Sequence, residues 1–108
     1  MTAVTLEKSD STGYRRFTTR GHSGYAAAGE DIVCAAVSAS TELVITILER
    51  FSVGLHMTVD RKKALVTVEI DESEQNRLLR DTIIKVLDGY ADYLSQVANE
   101  YPDYVKVN

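Results

Sequence analysis

A chain of 108 residues that is 44% hydrophobic and 26% charged, with one proline and six glycines, has the make-up of one globular domain and leaves little room for a second. Its net charge of -4 and pI near 5.1 exclude the basic footprint of a protein that binds phosphate backbones, so no direct nucleic-acid partner is expected. One cysteine excludes an internal disulfide, and Met1-Thr2-Ala3-Val4 lacks the pattern of an export signal; no segment reads as long enough to cross a bilayer, so a cytoplasmic protein with no membrane partner is expected.

Residues 2 to 8 are rich in β-branched residues and put Val4 and Leu6 on one face of a strand. Ser9-Asp10-Ser11-Thr12-Gly13 is a turn signal, and Tyr14 to Arg20 returns as the second strand of an antiparallel hairpin. Gly21 to Glu30 holds three glycines and three consecutive alanines, small residues that impose little conformation, and predicts a mobile loop. Asp31 is the N-cap candidate of a helix whose apolar residues, from Ile32 to Phe51, surround most of its circumference; this helix is expected to be central and largely buried, with Gly54 as its stop. Leu55 to Asp60 alternates with Leu55, Met57 and Val59 on one side, Asp60-Arg61-Lys62-Lys63 turns, and Ala64 to Ile70 returns with Val66, Val68 and Ile70 inward. One amphipathic helix is predicted from about Glu74 to Asn99, its apolar face drawn by Leu79, Ile83, Val86, Tyr90, Leu94, Val97 and Tyr101. Pro102 ends it, and Tyr104 to Val107 forms a short last strand. The order ββα-ββα-β predicts a single α+β domain over residues 1–108, a mainly antiparallel sheet packed with two helices.

The chemistry concentrates at the start of the first helix. If Asp31 is the N-cap, Cys34 is the third helical residue, where the unpaired amides and the dipole favour a thiolate and can also hold an oxyanion. His22 lies twelve positions earlier, at the other end of the glycine-rich loop, within reach as a general base. Asp31, Cys34 and Ser38 share one helical face. Asp31 can cap the helix or orient the imidazole, and Ser38 can bond back to the Cys34 carbonyl or touch a substrate. A free cysteine is as often a small buried hydrophobe as a nucleophile. His56 reads as structural, one cysteine and two histidines offer no paired metal-ligand spacing, and no cofactor motif is present. The basic clusters Arg15-Arg16, Arg20 and Arg61-Lys62-Lys63 read as solvated faces or turns.

The run Gly21-His22-Ser23-Gly24-Tyr25-Ala26, followed by Gly29 and Asp31-Ile32-Val33-Cys34-Ala35-Ala36-Val37-Ser38, resembles the ribosomal-processing cysteine protease family. The resemblance extends through the long second helix to the tail Tyr101-Pro102-Asp103-Tyr104-Val105-Lys106-Val107. It implies a cytoplasmic endopeptidase, a homodimer, that removes the N-terminal extension from the precursor of a large-subunit ribosomal protein of the bL27 type. By resemblance Cys34 is the nucleophile and His22 its base, while Gly21, Asp31 and Ser38 match other characteristic positions, with supporting or substrate-binding roles. Ser23 departs from the family's usual alanine. The family's apolar, aromatic-containing cleavage segment implies a cleft lined by residues such as Tyr25 or Ile32. The competing class is a non-catalytic peptide-binding ribosome-assembly factor that uses the same groove without cutting.

Overall fold

The computed structural model describes residues 1–21 and 31–108; His22, Ser23, Tyr25 and the predicted loop through Glu30 lie outside them. Its elements are β1 (Thr2–Ser9), β2 (Gly13–Arg20), α1 (Ile32–Arg50), β3 (Leu55–Asp60), β4 (Leu65–Ile70), α2 (Glu74–Leu78), α3 (Arg80–Glu100) and β5 (Val105–Val107). The expected α+β architecture is observed, with the strands in the order β3-β4-β2-β1-β5. Both sequence-adjacent hairpins are antiparallel, and β2 joins them by pairing antiparallel with β4. The short last strand adds parallel to β1, which makes the sheet mixed.

Alternation along the strands aims Val4, Phe17, Val68 and Ile70 into one core with the helices, where each is at least nine-tenths buried. From α1 this core receives Val33, Val37, Val44 and Leu48; from α3 it receives Ile83, Leu87, Tyr90, Leu94 and Val97. Both sets follow the three-and-four spacing of one helix face. Each fully buried aliphatic side chain contributes about 1.5 to 3 kcal/mol.

Four expectations are corrected. First, α1 is not buried all round. Ile32 and Leu43 are 59% and 60% exposed, because the sheet and α3 leave part of its circumference uncovered. Second, α1 is long and apolar enough, by length and composition, to cross a membrane, contrary to the reading that no segment approaches that length. Its buried apolar side chains nevertheless belong to the common core.

Third, Gly54 does not stop α1. The helix ends at Phe51, and Ser52 takes the left-handed conformation at φ 63° as the Val53 N–H returns to the Leu48 carbonyl at 3.0 Å. Gly54 instead gives room to Asp71, whose Oδ2 would lie 2.2 Å from a Cβ there and would have to move.

Fourth, the predicted second helix is two. Leu79, at φ -96° and ψ 13°, separates α2 from α3. The cause is Asn76, which is fully buried. Its Oδ1 accepts from the Gly54 N–H at 2.8 Å, while its Nδ2 donates to the carbonyls of Gly54 and Asp71, both at 2.9 Å. The turn of α2 is thus anchored to the loop that follows α1, whereas α3 packs on the sheet.

Candidate active site

Asp31 is the N-cap of α1, as its sequence position predicts: its backbone is extended and its side chain accepts the Cys34 N–H at 2.8 Å. The first helical backbone bond runs from the Ala35 N–H to the Asp31 carbonyl at 3.0 Å. Cys34 is therefore in the first turn, partly exposed and free of any disulfide. The cap also takes the Cys34 amide out of any oxyanion hole, leaving Ile32 and Val33 as the first-turn amides for that role.

Gly21 ends β2 at φ +86°, with its N–H donating to the Ala64 carbonyl at 2.9 Å. A Cβ at this position would lie 2.6 Å from the Met1 carbonyl oxygen, so both conformation and space require glycine. Its place is set by backbone geometry, directly before His22 in the chain.

Ser38 is exposed one turn beyond Cys34. Back-bonding in this helix is made by Ser40, to the carbonyls of Ala36 and Val37, by Thr41, to the carbonyl of Val37, and by Thr46, to the carbonyl of Glu42. Ser38 instead lines a cavity of about 480 Å³ with Ile45, Met57, Val59, Arg61 and Val66. The sequence did not single out these walls; Met57, Val59 and Val66 read as ordinary inward strand residues. In the structure β3 is an edge strand, and Met57 and Val59 are 58% and 52% exposed. Ile32, a predicted recognition residue, is also exposed, whereas Tyr25 and the base candidate His22 fall outside the described residues.

A larger cavity, about 570 Å³, lies between α1 and α3, walled by Ala36, Leu43, Ile47, Val86, Gly89 and Tyr93. At about 100° per residue, its α1 residues face away from Cys34, whereas Ser38 and Ile45 stay within roughly 40° of it. Size therefore does not identify the site; the smaller cavity shares a helix face with the thiol. Of the basic residues, Arg61 lines the smaller cavity, whereas Arg16 pairs with Glu7 at 2.5 Å and with Glu69 at 3.5 Å, and the Glu7 carboxylate beside it raises its pKa.

A partly exposed thiol in a capped first turn, on the helix face that also lines a cavity, is an arrangement a cysteine hydrolase can use to attack a bound carbonyl. The family model of the cysteine protease Prp matches residues 1–106. The chain belongs to this family of hydrolases, whose cysteine proteases act in ribosomal protein processing. A search of curated proteins finds no match.

Among solved structures, the ribosomal processing protease Prp of Staphylococcus aureus with a covalently linked product peptide has a TM-score of 0.85 at 20% identity, covering 100% of this chain and 98% of that one. The same protease with a substrate peptide gives 0.79 at 19%, covering 100% and 98%. A Streptococcus mutans protein gives 0.80 at 19%, covering 100% and 92%. At these identities the structural likeness establishes the shared fold.

Proposed function

We propose that this protein is a cysteine endopeptidase that removes the N-terminal extension from the precursor of a large-subunit ribosomal protein. The observation that carries the reading is Cys34, presented in the capped first turn of α1 within a chain matched to the cysteine protease family over residues 1–106. The peptides bound to the Staphylococcus aureus protease support a peptide substrate.

In this mechanism His22 takes the Cys34 thiol proton as Sγ attacks the scissile carbonyl carbon. The C–N bond breaks, the proton passes to the leaving amine, and a thioester remains on Sγ. Water activated by His22 then attacks the thioester, releasing the carboxylate and restoring the thiol. Asp31 fixes the backbone of the nucleophile, and Ser38 lines the route to it. The chain's own side chains supply this chemistry without a metal or cofactor.

A cytoplasmic homodimer is part of the proposal. The lone cysteine fits a reducing compartment, and the exposed apolar Leu43 and Tyr93 beside the α1–α3 cavity support association between copies. Sedimentation equilibrium tests it, with a monomer as the contrary result.

The test of function is incubation of wild type and Cys34→Ala with the same organism's ribosomal-protein precursor, followed by intact mass. Loss of one defined N-terminal peptide with wild type alone is expected. Cleavage by Cys34→Ala would overturn the nucleophile assignment. Binding without cleavage by wild type would favour a peptide-holding assembly factor.

A further inference from the structure

We infer that the end of the sheet at which β2 stops carries a binding surface for the backbone of duplex RNA, formed by Arg20, Lys62, Lys63 and Lys106 with a row of threonines beside them. Binding by this surface stands apart from the endopeptidase reading and is measured with no protein substrate present.

Strand register gathers the four cations. Val4, Phe17 and Val68 point into the core, so the residues that alternate with them stand on the opposite face of the sheet, away from α1 and α3. On that face Lys106 of β5 lies opposite Ala3 of β1, Ala3 opposite Arg20 of β2, and Arg20 opposite Leu65 of β4. The Gly21 N–H donates to the Ala64 carbonyl at 2.9 Å, which brings the β3–β4 turn, with Lys62 and Lys63, to the same end. At about 4.8 Å between strands the row runs about 14 Å from β5 to β4, a span that meets several phosphates of one duplex.

The charge of this patch is not neutralised by neighbours. All four cations are exposed, and among the described residues none of them makes an ion pair, whereas Lys8 is held by Asp88 and Arg16 by Glu7 and Glu69. The single acid of the row, Asp60 opposite Leu65, accepts the Lys63 backbone N–H at 3.1 Å. The expectation of no nucleic-acid partner came from a net charge of -4, which averages over the whole surface. Residues 20, 62, 63 and 106 are scattered in the sequence, and only the fold makes them one patch.

The chemistry of the face selects the ligand. The adjacent row is Thr5, Thr18, Thr67 and Thr58, in register across β1, β2, β4 and β3. Arginine, lysine and threonine side chains donate to phosphate oxygens, and threonine hydroxyls also pair with ribose hydroxyls. Neither row holds an aromatic side chain, so there is no platform on which an unpaired base can stack, and a duplex read by its backbone is the form that fits. A broad sheet face suits the wide, shallow minor groove of A-form RNA better than the narrow one of DNA. Joined to the proposed function, such a surface holds the protease at ribosomal RNA with Gly21, and hence the chain leading to His22, beside it; that consequence, unlike the binding, rests on the endopeptidase reading.

The test is fluorescence anisotropy of a labelled RNA duplex of about 20 base pairs, titrated with wild type, Lys62→Gln/Lys106→Gln and the off-patch control Arg77→Gln/Lys85→Gln, at salt from about 50 to 200 mM. The two double variants change the net charge equally. Wild type should bind in the range of roughly 1 to 100 µM and weaken about fiftyfold across that salt range, a log–log slope of about -3. The patch variant should bind about tenfold or more weakly at low salt, with a slope shallower by about 2, while the control stays within about threefold of wild type. Melting temperature checks both folds, and Arg20→Gln/Lys62→Gln replaces the patch variant if β5 is disturbed.

No binding at low salt, or equal weakening by the patch and control variants, overturns the surface. Binding of a DNA duplex, of single-stranded RNA or of polyglutamate at least as tight as that of the RNA duplex overturns its assignment to duplex RNA.

Discussion

The carboxylate of Asp31 accepts the backbone N–H of Cys34 at 2.8 Å, so the side chain that starts α1 also fixes the backbone of the candidate nucleophile. Asp31→Ala removes this bond and is expected to cost about 1 kcal/mol of stability, with Asp31→Asn retaining most of it. Urea unfolding of the two variants measures the difference. Equal loss in both would show that negative charge, and not the cap bond, is what matters at this position.

Gly21 combines φ +86° with a close approach to the Met1 carbonyl oxygen. Gly21→Ala is expected to destabilise the fold by roughly 1 to 3 kcal/mol, because the new Cβ is strained and also displaces the start of β1. Thermal unfolding checks the size, and amide exchange at Ala3 and Val4 checks the location. An unchanged melting temperature would contradict this account.

Asn76 joins two connections that are distant in sequence, with both ends of its amide bonded to Gly54 and its Nδ2 also bonded to the Asp71 carbonyl. Asn76→Ala leaves the Gly54 N–H and the Asp71 carbonyl without this partner, although the Gly54 carbonyl keeps the Asp71 N–H at 3.2 Å, and is expected to cost roughly 1 to 3 kcal/mol. Asn76→Asp offers an acceptor to Gly54 but no amide donors, so it is also expected to fail. Denaturant midpoints for both variants, against wild type, provide the measurement.

Tyr90 sets a limit at high pH. Its hydroxyl is 2.6 Å from Thr41 Oγ1 and its ring meets Phe17 edge to face at 5.3 Å. Thr41 donates its one proton to the Val37 carbonyl, so the Tyr90 hydroxyl donates to Thr41. Burial pushes the Tyr90 pKa up from 10.0 to about 12, against a smaller lowering contribution from the Thr41 hydroxyl, which can turn to donate to a phenolate.

The unfolded chain loses its proton first, so this contribution is fully present below pH 10.0 and is lost as pH rises from there to about 12. The loss is roughly 2 to 3 kcal/mol in all. Tyr90→Phe, although less stable near neutrality, should show a shallower decline over that window. Parallel denaturation series for the two proteins test the slope.

Strand alternation, the turn at Ser9–Gly13, the Asp31 cap and the family resemblance through Cys34 were all legible in the sequence. They rest on local rules: period two in strands, a carboxylate before a helix, and glycine at a turn. The same rules placed Cys34 in the first turn, a prediction the cap geometry bears out.

Local periodicity could not reveal which apolar residues lack a covering neighbour. Leu43 and Leu48 look alike in the sequence, yet Leu43 is 60% exposed and Leu48 fully buried, because the sheet and α3 reach only part of α1. Met57 and Val59 alternate as core residues would, but their place on an edge strand leaves them open beside α1. The break at Leu79 likewise follows the bonds of Asn76 to Gly54, two residues 22 positions apart. The sequence determined which segments are helices or strands and which residue is the lone thiol, since these follow from local chemistry. Only the tertiary structure decided which faces remain open and which loops are tied together, since both depend on contacts between residues far apart in the chain.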